Sequence, residues 1–401
     1  MAGRRIGFLI DWRLFRTPEG LRAESPMLEF ALAFRAHFDE IVLIARVFEQ
    51  GESAGLPYAI PDEGVRVAAL PPYPRIHSLY TRPLHWWPPI ERALRETLPL
   101  LDALWLNFGH PVSLRALALS HRHAELRPFA VLRGAYERDA ALRTDAPGPI
   151  RRLAGAVMSL QLGAFARSAR RRDLPCVGFG TGERLAAMGL RTLPMVSSLL
   201  RAEDLERGAD PDPELACDLL VVGRLAPEKG VDVLLEALPK ILTRAGRPAR
   251  LRVVGSGESE SQLRERARQL GVAAQVVFDG HVPFGPALFA RYASATLVVI
   301  PSHTEGIPKS AYEAMAFGRP VLATAVGGLP SVIGANGERG RLVPAGNPEA
   351  LARAASELLA DDEGLERRGA RARAFARDTT LERQVARIVE FVAPDWLEGP
   401  P

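Results

Sequence analysis

Short apolar runs alternate with amphipathic stretches through the second half of the chain. The runs Asp218–Val222, Arg250–Val254, Gln275–Phe278, Leu297–Ile300 and Pro320–Ala323 are short and rich in branched side chains, which predicts buried strands. Between them, Val233, Leu234, Leu238, Ile241 and Leu242 recur at helical spacing, and Leu263–Leu270 and Glu349–Leu359 repeat that pattern. Strands that alternate with helices predict a parallel sheet covered on both faces, with ligands beyond the strands' carboxyl ends.

The first half carries the same theme less regularly. Ile6–Ile10, Glu40–Ala45, Asp102–Asn107, Phe129–Arg133 and Cys176–Phe179 read as strands, and Leu28–Phe38 as a helix. The apolar stretch after Met1 stops at Asp11, too soon for a leader's core, and reads as a first buried strand. Prolines at 71, 72, 74, 83, 88 and 89 predict a stretch that cannot be continuous helix. Asp210–Pro213 reads as a hinge, and Leu381–Val392 as a final helix. The expected fold class is α/β, with two Rossmann-like parallel-sheet domains facing each other across a cleft. The expected boundaries are 1–200 and 201–375, with 376–401 returning to the first domain.

Composition narrows the function. With 401 residues, 47% apolar and 24% charged, the chain is an ordinary globular one, and no run is long enough for a spanning helix. Cys176 and Cys217 stand far apart, so neither a disulfide framework nor a zinc site is indicated, and a reducing, cytoplasmic compartment is expected. Residues 1–200 hold 26 arginines and 19 acidic residues, which leaves the remainder net negative in a chain of +4 overall. A basic first half suits phosphates or an anionic surface, as well as a merely soluble one. Only Lys229, Lys240 and Lys309 among the 51 basic residues are lysines. None of them follows a glycine, so there is no P-loop; Gly178, Gly180 and Gly182 lack the dinucleotide spacing. There is no GxSxG elbow and no HExxH helix, and His121 and His123 lack a carboxylate cluster. The short basic run Arg170–Arg172 is no nucleic-acid stripe, so no nucleic-acid partner is expected.

Three segments of the second half carry candidate chemistry. In Val221–Gly230 a strand leads into a loop bearing Arg224 and Lys229, two cations suited to a diphosphate; a surface ion pair with Glu228 is the plainer alternative. In Pro301–Pro320 a strand leads through Glu305 into a helix that starts near Pro308 and ends before Gly318, with Glu313 one turn inside. Free N–H groups at that helix start suit an anion. The alternative there is a solvated Lys309–Glu313 pair in the weaker order. In Val254–Glu258, Gly255 and Gly257 permit close backbone approach to a ligand.

Together these segments resemble the family-4-type retaining glycosyltransferases with the GT-B fold. The resemblance covers roughly Asp218–Gly346. It rests on the Gly-Arg-Leu-x-x-Glu-Lys-Gly loop at Gly223–Gly230, the Gly-Ser-Gly turn, the Glu-x7-Glu pair Glu305 and Glu313, and the string Glu313–Val321. It implies a nucleotide-diphosphate sugar donor, of UDP or GDP type, and a carbohydrate or lipid-linked acceptor, with no metal and no cofactor. By the resemblance, Arg224 and Lys229 hold the diphosphate, Glu313 the ribose hydroxyls, and Glu305 the donor sugar with Gly306, Ile307, Pro308 and Lys309. Gly255 and Gly257 approach the donor, and Gly280 and His281 sit beside the base. On the acceptor side, His110 after the Leu104–Asn107 strand occupies the place of a family histidine or acidic residue near the reacting sugar. The implied catalytic set is Glu305, His110, Arg224 and Lys229. The family's Gly-Gly loop after the first strand is lacking, since Asp11–Gly20 has only Gly20.

Leu153–Ala166 is apolar and flanked by arginines, so 150–172 reads either as a domain helix with a basic end or as a peripheral contact with an anionic membrane. Two other functions share this fold expectation: a nucleotide-sugar isomerase or epimerase, and a non-catalytic nucleotide-sugar-binding partner.

Overall fold

The computed structural model describes residues 3–25, 27–49, 56–133, 148–196, 198–245, 249–306, 308–334 and 336–396. The chain folds as two compact units, Val196–Arg383 and the pair of segments Met1–Met195 and Gln384–Pro401.

In the second unit six strands form one sheet: β10 (Cys217–Val222), β11 (Leu251–Val254), β12 (Val276–Gly280), β13 (Ala295–Ile300), β14 (Val321–Thr324) and β15 (Gly340–Val343). Their order is β12-β11-β10-β13-β14-β15 and every pairing is parallel. Each run of the sequence pattern becomes a strand within two residues of its expected limits. Helices Val231–Ala245 and Pro348–Leu359 bury Leu234, Leu238, Ile241, Leu351 and Leu358 against one face. Helices Pro286–Ser294 and Lys309–Ala316 bury Leu288, Tyr292, Tyr312 and Met315 with the strands' other side chains. Asp210–Pro213, expected as a hinge, lies inside this unit. Asp212 caps a short 3-10 helix there, and its backbone N–H donates to the Ser294 hydroxyl at 2.8 Å.

The first unit has a nine-stranded sheet built on β1 (Arg5–Thr17), β2 (Gly20–Ala23), β3 (Glu40–Glu49), β4 (Tyr58–Ala59), β5 (Val65–Leu70), β6 (Ala103–Asn107), β7 (Arg127–Arg133), β8 (Cys176–Phe179) and β9 (Thr192–Met195). The run β5-β3-β1-β6-β7-β8-β9 is parallel, whereas β2 and β4 are antiparallel. Residues after Gln384 pack here: the Trp396 ring meets Phe38 at 5.5 Å, and the Arg127 guanidinium pairs with Asp395.

Two local expectations fail in this unit, and a third, that the proline-bearing stretch is not continuous helix, holds through the break at Arg82 but not at Pro88 and Pro89. The first strand does not end at Ile10. It pairs with β3 as far as Leu9↔Ile44, bulges, resumes at Arg13↔Arg46, and turns at Thr17↔Gly20 into an antiparallel hairpin. The polar Asp11 breaks the apolar run but not the strand, because a bulge lifts residues 10–12 out of the ladder. Leu28–Phe38 divides into an α-helix, Met27–Leu32, and a 3-10 turn, Ala33–Ala36. Pro88 and Pro89 lie within a helix, Pro83–Thr97, whose Leu84 and His85 are exposed. Water can satisfy the carbonyls that the prolines leave free, while Ile90 and Leu94 anchor the helix in the core.

Helix Gly148–Arg171 places Leu162, Phe165 and Ala169 in the core, with the Phe165 ring 4.7 Å from that of Phe108; Leu160 is exposed. Among the described residues no helix is long and apolar enough to cross a membrane.

Candidate functional site

Beyond the carboxyl ends of β10, β11 and β13, backbone segments approach one another more closely than side chains would allow. A Cβ at Gly255, where φ is +139°, would stand 1.8 Å from the Gly223 carbonyl oxygen. A Cβ at Gly230, where φ is +62°, would stand 2.2 Å from that of Pro301. Both are positions that only glycine fills. At Gly257 the backbone conformation is ordinary, but a Cβ would lie 2.2 Å from the Leu225 oxygen. The His303 N–H donates to the Glu228 carbonyl at 2.9 Å, so the loop carrying Lys229 and the loop carrying Glu305 are laced by main chain.

Lys229 and Glu305, 76 residues apart, meet as an ion pair with Nζ to Oε1 at 2.5 Å. Glu305 is held from its other side by the Ser302 hydroxyl, which donates to the same oxygen at 2.8 Å. The Glu305 side chain is 8% exposed and that of Lys229 is 27% exposed. This is a cation fixed at a sheet edge by a carboxylate that is itself fixed. Arg224 differs. Its guanidinium is largely exposed and pairs with Glu228, the plainer of the two readings its sequence context allows.

Glu313 lies on helix Lys309–Ala316, with Pro308 as its N-cap residue. Glu313 is not solvated: it is buried and accepts from the Tyr292 hydroxyl at 2.7 Å. Burial pushes its carboxyl up from the ordinary glutamate value, against the opposing effects of the Tyr292 hydrogen bond and the Lys309 charge. The same burial, with Glu313 alongside, raises the Tyr292 phenol well above its usual range. Gly306 ends the loop before the helix, and its carbonyl accepts from the Gly328 N–H at 2.8 Å. Ile307 lies outside the described residues. His281 is exposed beside Gly280, whose carbonyl accepts from the Gly255 N–H at 2.7 Å.

His110 belongs to the first unit. It caps helix Pro111–Ser120, with Nδ1 accepting from the Val112 N–H at 3.3 Å. It lines a cavity of about 350 Å³ with Asp11, Trp12, Trp105, Asn107 and Arg133. Its Nε2 stands 3.6 Å from Asp11 Oδ1. Asp11 in turn pairs with the buried Arg46 at 3.0 Å and accepts from the Tyr73 hydroxyl at 3.3 Å. Burial works to raise the Asp11 carboxyl, but His110, Arg46 and Tyr73 together hold it below the ordinary aspartate value.

Sequence reasoning missed Ser302, Tyr292, Asp11, Arg46, Tyr73 and Arg133. Ser302 alone had a local signal, since it stands three residues before Glu305. The others come from distant segments. Among the described residues no group of three or more His, Cys, Asp or Glu is placed to hold a metal ion.

Residues 207–375 match the family model for glycosyl transferases group 1. The D-inositol 3-phosphate glycosyltransferase of Segniliparus rotundus is 40% identical over 169 residues, which is 41% of this chain and 36% of that protein. The chain thus spans little more than a third of that relative's length. Two solved structures align over nearly the whole chain. Sucrose-phosphate synthase from Thermosynechococcus elongatus has a TM-score of 0.65 at 19% identity, covering 99% of this chain and 100% of its own. Anabaena HepE, solved with UDP and glucose, has a TM-score of 0.62 at 18% identity, covering 98% of this chain and 100% of its own. These neighbours share the GT-B fold with this chain. Residues 207–375 are thus similar to the glycosyl transferases group 1 family, in a chain with the GT-B fold.

Proposed function

We propose that the protein is a retaining, metal-independent glycosyltransferase that moves a hexosyl group from a nucleotide-diphosphate sugar to a carbohydrate or lipid-linked acceptor. The observation that carries this reading is the Lys229–Glu305 pair, set at a parallel-sheet edge where glycines let main chain close in. A lysine there can neutralise a leaving diphosphate, and its carboxylate partner can accept from sugar hydroxyls.

In this reading the bond from the anomeric carbon to the diphosphate oxygen breaks as an acceptor hydroxyl attacks the same face. The hydroxyl proton passes to the departing phosphate oxygen, so no enzymic nucleophile is needed. Lys229 and the exposed Arg224 balance the charge that grows on the diphosphate. Arg224 has only to leave Glu228, an exposed pair that contributes little. The start of helix Lys309–Ala316 adds the positive end of its dipole. Buried Glu313 holds the ribose, Gly255, Gly257 and His281 flank the nucleotide, and Gly306, Ile307, Pro308 and Lys309 surround the sugar. His110 serves the acceptor side. The UDP in the Anabaena HepE structure supports a uridine donor, and the relative named for inositol 3-phosphate supports a polyol acceptor.

The test is nucleoside-diphosphate release from UDP-, GDP-, ADP- and dTDP-sugars, with and without added glycans. Release from one donor, raised by acceptor, is expected. Lys229→Ala should lower kcat by about 10²–10³, in line with removing one group that stabilises transition-state charge. Glu305→Gln should lose turnover as well. Sugar isomerised without an acceptor, or a donor bound and never cleaved, would overturn the transferase reading.

A further inference from the structure

Arg133 closes β7 at its carboxyl end and lines the first unit's cavity. Its guanidinium lies over the rings of Phe179, Trp105 and Phe30, at 4.8, 5.5 and 5.6 Å from their centroids. Its Nε is buried and unpaired, and among the described residues no carboxylate or carbonyl accepts from the side chain. Burial pushes the guanidinium down to about 10, so it remains a cation at neutral pH. The other charges in the cavity cancel: Asp11 is matched by Arg46 at 3.0 Å. Among the described residues one positive charge is therefore left over. Three ring faces attract the cation without accepting its N–H hydrogens, which remain available to a partner. An enclosed cation without a counter-charge is costly unless something supplies one. Asn107 and His110 line the same space, and His110 Nε2 has no hydrogen-bond partner among the described residues.

We propose that this cavity binds the oxyanion of a phosphate- or carboxylate-bearing acceptor, with Arg133 as its counter-charge and specificity-determining residue. The assignment of the ligand as acceptor rests on the transferase reading; the anion site itself does not. A two-pronged contact with an oxyanion is what a guanidinium is built to make, and Trp12 and Phe8 line the same cavity with apolar surface for the ligand's body.

The test is calorimetric titration of the full chain, without donor, using phenyl phosphate, phenylacetate and neutral benzyl alcohol. At least one of the two anions should bind tenfold or more tightly than the alcohol, and which one does so separates phosphate from carboxylate recognition. Arg133→Met should abolish that preference. Methionine suits a pocket of three aromatic rings, so this variant is expected to fold, and thermal unfolding checks it. Arg133→Lys keeps the charge without the planar fork and should show an intermediate preference. Wild-type protein that binds all three probes alike, or an anion preference that survives in Arg133→Met, would overturn the proposal. Glu305→Gln should leave anion binding unchanged. Anion binding that persists while no nucleotide sugar is cleaved would support the site and defeat the transferase reading alone.

Discussion

The two units solve one problem, presenting polar groups beyond a parallel sheet, in different materials. In Val196–Arg383 the work falls to main chain. Gly230 and Gly255 let loops touch, and the charged side chains Lys229 and Glu305 satisfy each other across the contact. In the first unit the cavity wall is made of rings, and its polar groups arrive singly from β1, β6, β7 and the start of helix Pro111–Ser120. One edge is tightly specified by backbone and internally charge-matched. The other is aromatic and keeps a cation unmatched among the described residues. An edge built from main chain tolerates little substitution, whereas a wall built from side chains can be varied one residue at a time.

The sharpest way to break this comparison is to put side chains where main chain meets main chain. Gly255→Val should destabilise the second unit by about 3 kcal/mol or more, because both its φ and its contact with Gly223 forbid a Cβ. Chemical denaturation would show it, and a loss under about 1 kcal/mol would mean that the backbone contact is soft. In the first unit the matching test is Asp11→Ala, which strands the buried Arg46. A loss of about 3 kcal/mol is expected from an uncompensated buried charge, read by the same denaturation series.

Glu313→Gln sharpens the comparison through pH. The folded state holds the Glu313 proton more tightly than the unfolded chain does, so this group makes stability fall as pH rises above about 4.5 through its raised folded value. The glutamine variant should flatten that decline, measured by urea unfolding at a series of pH values from acid to neutral. An unchanged slope would remove Glu313 as its source. Arg224→Ala should have the smallest effect on stability, within about 0.5 kcal/mol, because its pair with Glu228 is exposed. A measurable loss of nucleotide affinity at unchanged melting temperature would place Arg224 in binding alone.

The same contrast explains how much could be read from sequence. The second unit's strands and helices, and the contiguous strings Gly223–Gly230 and Glu305–Glu313, were legible because each device is local. A strand ends, a glycine turns the chain, and a polar group follows within a few residues. The position of His110 three residues after its strand ends at Asn107 was legible for the same reason. Asp11 was misread as the end of β1, since no local pattern distinguishes a polar residue on a bulge from one that begins a loop. Pro88 and Pro89 were misread because helix tolerance depends on whether the freed carbonyls face water, which is a tertiary fact. Arg133 was invisible among 48 arginines, because its isolation comes from rings at positions 30, 105 and 179.

By itself the amino-acid sequence determined the alternation of buried strands and amphipathic helices, and the residues at strand ends that carry charge. These follow from periodicity and turn chemistry, which act over a few residues. Only the tertiary structure decided that Lys229 closes on Glu305 and not on Glu228, that Glu313 is buried against the Tyr292 hydroxyl, and that Asp11 is neutralised while Arg133 has no counter-charge among the described residues. Those outcomes depend on which charges are brought together out of water, and the chain cannot set that distance until the sheets have formed.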